Sequence, residues 1–253
     1  MELCLRSSSV DRAAPARVVM PERLDHLSAD DPSAQRARRD LRRVHRAMRS
    51  LSIIQQAVDH LRLTAPPRRI LELGAGDGSL LLRLARSKRT DWTGVELTLL
   101  DRQDLLADQT RMQFAAVGWD ARPLCADAIE WAESALSQRY DLCVTTLFLH
   151  HFQTEALAIL LAAIAERAHA FIACEPRRGH ISRIGGHLLW FLGVNEVTRE
   201  DGATSVAAGF TDQELTSLWP RTASWQLQEY FAWPFTHCFV ARRAAGSPAD
   251  DAA

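Results

Sequence analysis

Three glycines behind a glutamate form the stretch best suited to hold a ligand. Glu72, Gly74, Gly76 and Gly78 occupy alternate positions after a short apolar run that begins at Ile70. Apolar residues then return at helical spacing, a pattern typical of a buried strand, a glycine turn and a helix. Because glycine adopts positive φ and has no Cβ, such a backbone can lie against a ligand, with the free amides of the helix facing it. The stretch therefore predicts a binding loop that opens a βαβ unit.

Acidic residues lie near the ends of the next two predicted strands. The first strand after the loop spans Trp92 to Asp101 and the following one Ala121 to Ala126, directly before Asp127. Ligands of open α/β sheets bind at the carboxyl ends of the strands, where Asp101 and Asp127 would lie. Glu96 is near the spacing of about twenty residues expected of a ribose-binding acid, but it would lie in mid-strand. We prefer Asp101 and keep Glu96 as the alternative.

Two adjacent histidines follow the fourth predicted strand, Tyr140 to Leu147. Imidazole is the side chain best suited to take a proton near neutral pH, so either His150 or His151 is a candidate general base. Successive residues past a strand face different ways, so only one of the two can point inward. For either histidine alone, a structural hydrogen bond to a backbone carbonyl is the alternative.

Two of these motifs resemble those of a known family. Residues 72–78 resemble motif I of class I S-adenosylmethionine-dependent methyltransferases, Glu/Asp-x-Gly-x-Gly-x-Gly. Leu149-His150-His151 is similar to the sequence that follows the fourth strand in the small-molecule members of that family. The resemblance runs from about Arg68 to Arg243. It implies an α/β fold with a doubly wound, mostly parallel seven-stranded sheet and a C-terminal antiparallel hairpin (Trp225–Tyr230 and Pro234–Arg242).

The resemblance also implies the cofactor, S-adenosyl-L-methionine, and its contacts. The glycine loop would cradle the methionine end, and Asp127 would accept a hydrogen bond from the adenine amino group while Ala128 packs on the ring. Asp127 is also a candidate N-cap of the following helix, and both roles are compatible. The cofactor-binding residues predicted on these grounds are Glu72, Gly74, Ala75, Gly76, Asp101, Arg102, Asp127, Ala128 and Leu147.

The chain outside this core is predicted to form flanking segments. Residues 1–65 would be an arm, mobile or loosely docked up to about residue 32, followed by one helix from Ser33 to Leu63. The arginine run Arg36 to Arg49 is interpreted as a solvated helix face, with an RNA-docking face or a lid over the cofactor as alternatives. Residues 244–253 would be a disordered tail.

A lid insertion is predicted within the methyltransferase domain, residues 66–243. It covers residues 179–210, with a helix from His180 to Leu192 followed by a polar, turn-rich stretch. A long segment after the carboxyl end of a strand would hang over the cofactor, as functional loops do. The apolar residues of its helix are either a substrate wall or simply a buried helix face.

The composition argues against nucleic acid as a partner, against disulfides and metal sites, and against a membrane span. The 253 residues include 30 Lys and Arg and 31 Asp and Glu, so no global basic field favours nucleic acid. The five cysteines form no Cys-x-x-Cys pair, which indicates a reducing cytoplasm, no disulfide framework and no metal site. No apolar run is long enough to cross a bilayer, and no signal peptide is recognisable.

The favoured function is methylation of oxygen, less favourably carbon, in a small apolar acceptor such as a phenolic or polyketide secondary metabolite. No Asn/Asp-Pro-Pro-Tyr/Phe run, the mark of amide and exocyclic-amine methylation, follows the fourth strand. An RNA methyltransferase docking through the helix at 36–49, or a non-catalytic cofactor-binding partner subunit, are the alternatives.

Overall fold

The central element is a seven-stranded sheet. The computed structural model describes residues 15–28, 30–135, 138–179, 194–221 and 224–244. Its strands are β1 (Arg69–Leu73), β2 (Val95–Asp101), β3 (Trp119–Cys125), β4 (Tyr140–Thr146), β5 (Ala168–Pro176), β6 (Trp225–Ala232) and β7 (Thr236–Arg243). Their order is β3-β2-β1-β4-β5-β7-β6, and β7 alone runs opposite to the other six strands. The predicted fold class is confirmed.

Helices cover both faces of the sheet. They are α1 (Pro32–Ala47), α2 (Ser50–Leu61), α3 (Ser79–Ser87), α4 (Asp108–Ala115), α5 (Ala128–Glu133), α6 (Thr154–Arg167), α7 (Glu196–Ala208) and α8 (Glu214–Leu218). Successive strand residues point to opposite faces, so Ile70 joins the apolar cluster under α2, α3 and α4 whereas Leu71 joins the cluster with α5, α6 and α8. Both faces of the sheet are therefore buried. Within the described ranges, no helix is long and apolar enough to cross a membrane.

The single helix predicted from Ser33 to Leu63 is wrong, because the chain turns sharply between α1 and α2. Arg49 adopts a left-handed backbone conformation with φ of 56°. The break lets α1 lie over the carboxyl ends of the strands while α2 packs on one face of the sheet, against β5 and β7. No glycine or proline marks this break, which is why the helical periodicity gave no warning of it.

Most of the polar stretch expected to be turn-rich at residues 193–202 is helical instead, because α7 begins at Glu196. The Asn195 side chain caps this helix by accepting a hydrogen bond from the Thr198 backbone N–H at 2.9 Å. Asp40 of α1 accepts from the Asn195 backbone N–H at 2.9 Å. Helix α7 is polar because its side chains face the site rather than the core. The helix predicted at 180–192, and the tail beyond residue 244, lie outside the described residues.

The N-terminal segment, residues 15–28, is docked across the carboxyl edge of the sheet rather than loosely attached. The Arg17 guanidinium donates to the Phe152 carbonyl oxygen at 2.8 Å. Asp201 of α7 accepts from the Leu24 backbone N–H at 3.1 Å, at the start of a short 3-10 helix. This segment and α7 therefore cover the edge where the predicted site lies.

Candidate active site

The glycine loop between β1 and α3 has the backbone that its composition predicted. Gly74, Gly76 and Gly78 have φ values of 66°, 55° and 69°. A Cβ at Gly74 would lie 2.3 Å from the Phe148 ring, whereas a Cβ at Gly76 would meet no atom within 4 Å. Gly74 is thus required for packing, and Gly76 leaves space beside the loop.

Two adjoining cavities, which share Gly74 and Gly76 in their lining, lie at the carboxyl ends of the central strands. The histidine cavity, of about 190 Å³, contains His150, and the strand-end cavity, of about 300 Å³, contains Asp101 and Asp127. Every predicted site residue lines at least one of them: Glu72, Gly74, Ala75, Gly76, Asp101, Arg102, Asp127, Ala128, Leu147, His150 and His151. The fold therefore brings the whole predicted set together.

The two acids considered for the ribose lie at opposite ends of β2. Asp101 ends the strand, and its Oδ2 accepts from the Gly76 backbone N–H at 2.9 Å while its Oδ1 accepts from that of Gln103 at 3.1 Å. Glu96 lies near the start of the strand, opposite Arg69, where it is exposed and outside both cavities. This placement favours Asp101, whose role toward a ribose stays a prediction.

Asp127 has the N-cap geometry that was one of its two predicted roles. Its Oδ1 accepts from the backbone N–H of Ile129 at 2.8 Å and of Glu130 at 3.4 Å, at the start of α5. The same residue and its buried neighbour Ala128 line the strand-end cavity. The N-cap hydrogen bonds hold the Asp127 carboxylate at the cavity wall, so its N-cap role is compatible with the predicted adenine contact.

A buried carboxylate organises the loop that follows β4. Glu175, at the end of β5, accepts from the backbone N–H of Phe148 at 3.1 Å and of Leu149 at 3.0 Å. It also bonds His150 Nδ1 at 2.8 Å. Leu147, with φ of 55°, turns the chain into this loop and lines both cavities. Glu175 therefore holds the turn that brings the two histidines to the site.

Both histidines contact carboxylates of the N-terminal segment. His150 Nε2 lies 3.3 Å from Glu22 Oε1, and His151 Nδ1 lies 3.1 Å from Asp25 Oδ2. The side chain of His150 is 3% exposed and that of His151 is 20% exposed. His151 is therefore the more accessible of the two from the cavities.

The carboxylates change the protonation of this cluster. Burial alone would lower the pKa of His150, but its hydrogen bonds to Glu175 and Glu22 outweigh burial and raise that pKa to about 9. Burial would raise the pKa of Glu22, yet the hydrogen bond from His150 holds it below the usual value. His150 thus already carries a proton at neutral pH, which disfavours it as the general base of this state. Which histidine acts as base stays a prediction.

The sequence matches the family model described as a methyltransferase domain over residues 70–169. Residues 70–169 are a methyltransferase domain. The matched range contains the glycine loop, the acids at the ends of β2 and β3, and both histidines. The predicted membership of the class I, S-adenosylmethionine-dependent methyltransferases is confirmed. No curated protein matches this methyltransferase significantly in sequence.

Solved structures with the same fold share little sequence with this methyltransferase. The plantazolicin methyltransferase BpumL, in complex with a desmethyl-plantazolicin analogue and SAH, has a TM-score of 0.60 at 14% identity, over 85% of this chain and 91% of that one. The mitomycin 7-O-methyltransferase MmcR has a TM-score of 0.54 at 16% identity, over 87% and 60%. A putative O-methyltransferase from Nostoc punctiforme PCC 73102 has a TM-score of 0.52 at 18% identity, over 77% and 56%. At these identities, the likeness shows the fold.

Glu72 fits a positively charged cofactor. Its Oε2 is buried and has no hydrogen-bond partner in the described part of the methyltransferase. Burial, together with the nearby charges of Asp77 and Asp101, raises the pKa of Glu72 well above its usual value. S-adenosylmethionine carries a sulfonium and an ammonium group, and a cation in the histidine cavity would stabilise the ionised carboxylate.

Three of the site's carboxylates escaped the sequence analysis. Glu22 and Asp25 lie more than a hundred residues before the histidines that they contact, and no motif marks them. Glu175 received no role in the sequence analysis, and it lies near the end of β5, which continues to Pro176. Its acidic type at a strand end was the one available signal.

Replacing Gly76 with alanine should greatly weaken S-adenosylmethionine binding at a small loss of stability. The left-handed backbone costs alanine about 1–2 kcal/mol, and the new Cβ enters free space in the shared lining of both cavities. Gly74→Ala is the matched variant, because its clash with Phe148 adds about 1–3 kcal/mol of overpacking. Chemical denaturation measures the loss of stability in each variant, and calorimetry measures the loss of cofactor affinity. Normal binding by Gly76→Ala would contradict the assignment of the loop.

Proposed function

We propose that the enzyme transfers the methyl group of S-adenosylmethionine to an oxygen, less favourably a carbon, of a small phenolic or polyketide-type acceptor. The observation that carries this proposal is the histidine cavity. It adjoins the glycine loop and is covered by α1, α7 and the N-terminal segment. A covered cavity of about 190 Å³ suits a small molecule better than a polymer.

The strand-end cavity supplies the nucleoside side of the proposed site. Asp101 would accept hydrogen bonds from the ribose hydroxyls, and Asp127 with Ala128 would hold the adenine. The cofactor supplies an electrophilic methyl group when it is bound. The contribution of the protein is to align that group with the acceptor and to exclude water.

The histidine cavity is where the acceptor would lie. Apolar side chains of α1 and the N-terminal segment, such as Leu24, Leu41 and Val44, contribute to its lining beside the carboxylates. A phenol fits such a mixed wall, because the ring packs on the apolar groups while its hydroxyl meets the histidines. The apolar helix expected at 180–192 would add to this wall, but it lies outside the described residues.

The names of three similar solved structures support a small natural product as the acceptor. One is a mitomycin 7-O-methyltransferase, and others are plantazolicin methyltransferases in complex with analogues of desmethyl-plantazolicin. This chain spans about nine tenths of the plantazolicin enzymes but 60% of the mitomycin enzyme and 56% of the Nostoc protein. The proposal that oxygen is the methylated atom therefore depends on the site as much as on the names of these proteins.

Binding and turnover test this function in two steps. Calorimetry should show that the purified chain binds S-adenosylmethionine and its demethylated product. Incubation with a panel of phenols and polyketide-type aromatics, followed by mass spectrometry, should then show the addition of one methyl group. Absence of binding to both cofactor forms at millimolar levels would overturn the proposal.

An RNA acceptor is the second candidate, because arginines line a shallow depression on the outer face of α1. The exposed side chains are Arg36, Arg39, Arg43 and Arg46, and the buried Asp40 also lines the depression. Arg38 of the same helix faces the cofactor site instead, and Arg42 lines both the depression and the histidine cavity. We expect weak RNA binding that does not direct methylation. Tight binding that falls steeply with salt would favour RNA, since phosphate contacts release counterions.

A further inference from the structure

The two histidines and Glu22 form a compact set of donor atoms. Glu22 Oε1 lies 3.3 Å from His150 Nε2, and Glu22 Oε2 lies 3.9 Å from His151 Nε2. One donor atom from each residue lies within 4.8 Å of both others. Ligands about 2.1 Å from a tetrahedral metal ion are about 3.4 Å apart. The three donors are therefore near the spacing that a single ion requires.

Carboxylates behind both imidazoles orient the rings toward Glu22. His150 Nδ1 bonds Glu175 at 2.8 Å, and His151 Nδ1 bonds Asp25 at 3.1 Å. Histidines that bind metals usually donate their other ring N–H to such a group, which fixes the tautomer and the ring direction. The same arrangement occurs twice here, and in both cases it leaves Nε2 facing Glu22.

Negative charge exceeds positive charge around the cluster. Glu22, Asp25 and Glu175 surround two imidazoles, and Asp201 lies beyond Glu22 through Ser205. The cations nearby include Arg17, which acts on Glu175 at longer range, and Arg102, whose Nη2 lies 3.5 Å from Asp25 Oδ1. Arg38 and Arg42 also line the cavity, but its acids outnumber its arginines. The surroundings thus favour a cation at this point.

We propose that Glu22, His150 and His151 bind a zinc ion whose fourth position opens into the histidine cavity. Two imidazoles and one carboxylate are a known ligand set of catalytic zinc, which keeps one position for water or substrate. All three residues line that cavity together with the glycine loop. The absence of cysteine pairs, from which no metal site was expected, does not bear on a site built from nitrogen and oxygen donors.

The role of the ion rests on the proposed function, although its binding does not. A phenolic hydroxyl at the open position would have a lowered pKa and lose its proton to water. The oxygen would then form its bond to the methyl carbon as the bond from that carbon to sulfur breaks, which releases S-adenosylhomocysteine. Zinc would thus both place and activate the acceptor oxygen.

Cobalt(II) is the probe for the site, since it replaces zinc and absorbs visible light. The titration uses chelator-treated, tag-free protein carrying Cys4→Ser and Cys125→Ser, which removes the exposed thiol of Cys125 and the N-terminal one. We expect one ion per chain with the bands of nitrogen and oxygen ligands, displaced by zinc. Glu22→Gln and His151→Asn should each weaken binding at least tenfold, and Asp25→Asn should weaken it about 10–100-fold through His151.

His26→Asn is the matched control, because His26 is exposed on the same segment and outside the cluster. It should bind cobalt like the parent protein. Binding of S-adenosylhomocysteine by each variant shows that the fold and the strand-end cavity are intact. A stoichiometric ion should also slow amide hydrogen exchange in residues 15–28, which supply Glu22.

The outcomes separate this proposal from the proposed function. Equal cobalt binding in Glu22→Gln, His151→Asn and His26→Asn overturns the site, as does absence of cobalt binding in a parent protein that still binds S-adenosylhomocysteine. Methyl transfer without any bound ion would support the proposed function and contradict the role of zinc in it. Cobalt binding lost only in the cluster variants supports the site even if every acceptor tested is inert.

Discussion

Asp101→Ala should weaken the binding of S-adenosylmethionine by about 100-fold or more. The carboxylate ends β2 at the strand-end cavity, and it also holds the glycine loop through the Gly76 N–H at 2.9 Å. Hydrogen bonds to a charged group contribute about 1.5–3 kcal/mol each, so the loss of two from a ribose amounts to about 3 kcal/mol or more. Calorimetry with the cofactor and with its demethylated product measures the change.

Glu96→Ala is the control for this prediction. Glu96 lies on the same strand but near its start, exposed and outside both cavities. Its removal should leave cofactor affinity within about twofold of the parent, because a surface substitution away from a site has little effect. If Glu96→Ala lost binding and Asp101→Ala kept it, the ribose contact would lie elsewhere on β2.

The sequence could bring together the residues predicted to bind the cofactor because their signals are local. The glycine loop is one contiguous stretch, and parallel strands bring Asp101 and Asp127 to the same edge of the sheet. Alternation of strands and helices then fixes which edge carries the ligand. These features need no knowledge of contacts between distant segments, so a single sequence was sufficient for them.

The surroundings of the two histidines could not be predicted, because they are assembled from distant segments. His150 meets Glu22 across 128 positions, and the N-terminal segment that carries Glu22 is held there by α7. The polar sequence of α7 resembles a loop, since its side chains serve the site and not the core. Periodicity detects burial, and so it misses a helix whose important face is polar.

The break at Arg49 is a further case in which tertiary structure overrides local pattern. The apolar spacing of α2 and the arginines of α1 belong to two helices with different surroundings. A left-handed residue other than glycine is unfavourable by about 1–2 kcal/mol. This cost is offset because α1 packs over the site and α2 packs on one face of the sheet. Neither contact is visible in the sequence.

Glu175→Ala should lower the free energy of unfolding by about 3–5 kcal/mol, as expected when one partner of a buried ion pair is removed. The side chain is fully buried and bonds both a protonated His150 and the backbone N–H groups of Phe148 and Leu149. Alanine would leave these donors buried without an acceptor. Thermal unfolding should shift by roughly 6–20 °C for a chain of this size.

Glu229→Ala separates loss of stability from loss of the site. Its side chain is also buried, and it accepts from the Leu215 N–H at 3.0 Å and bonds His237 Nε2 at 2.7 Å, outside both cavities. It should therefore be destabilised in the same range while the folded protein keeps its cofactor affinity. Glu175→Ala should lose affinity as well, because Phe148 packs directly on Gly74. Equal cofactor affinity in the two folded variants would show that Glu175 supports the fold without shaping the site.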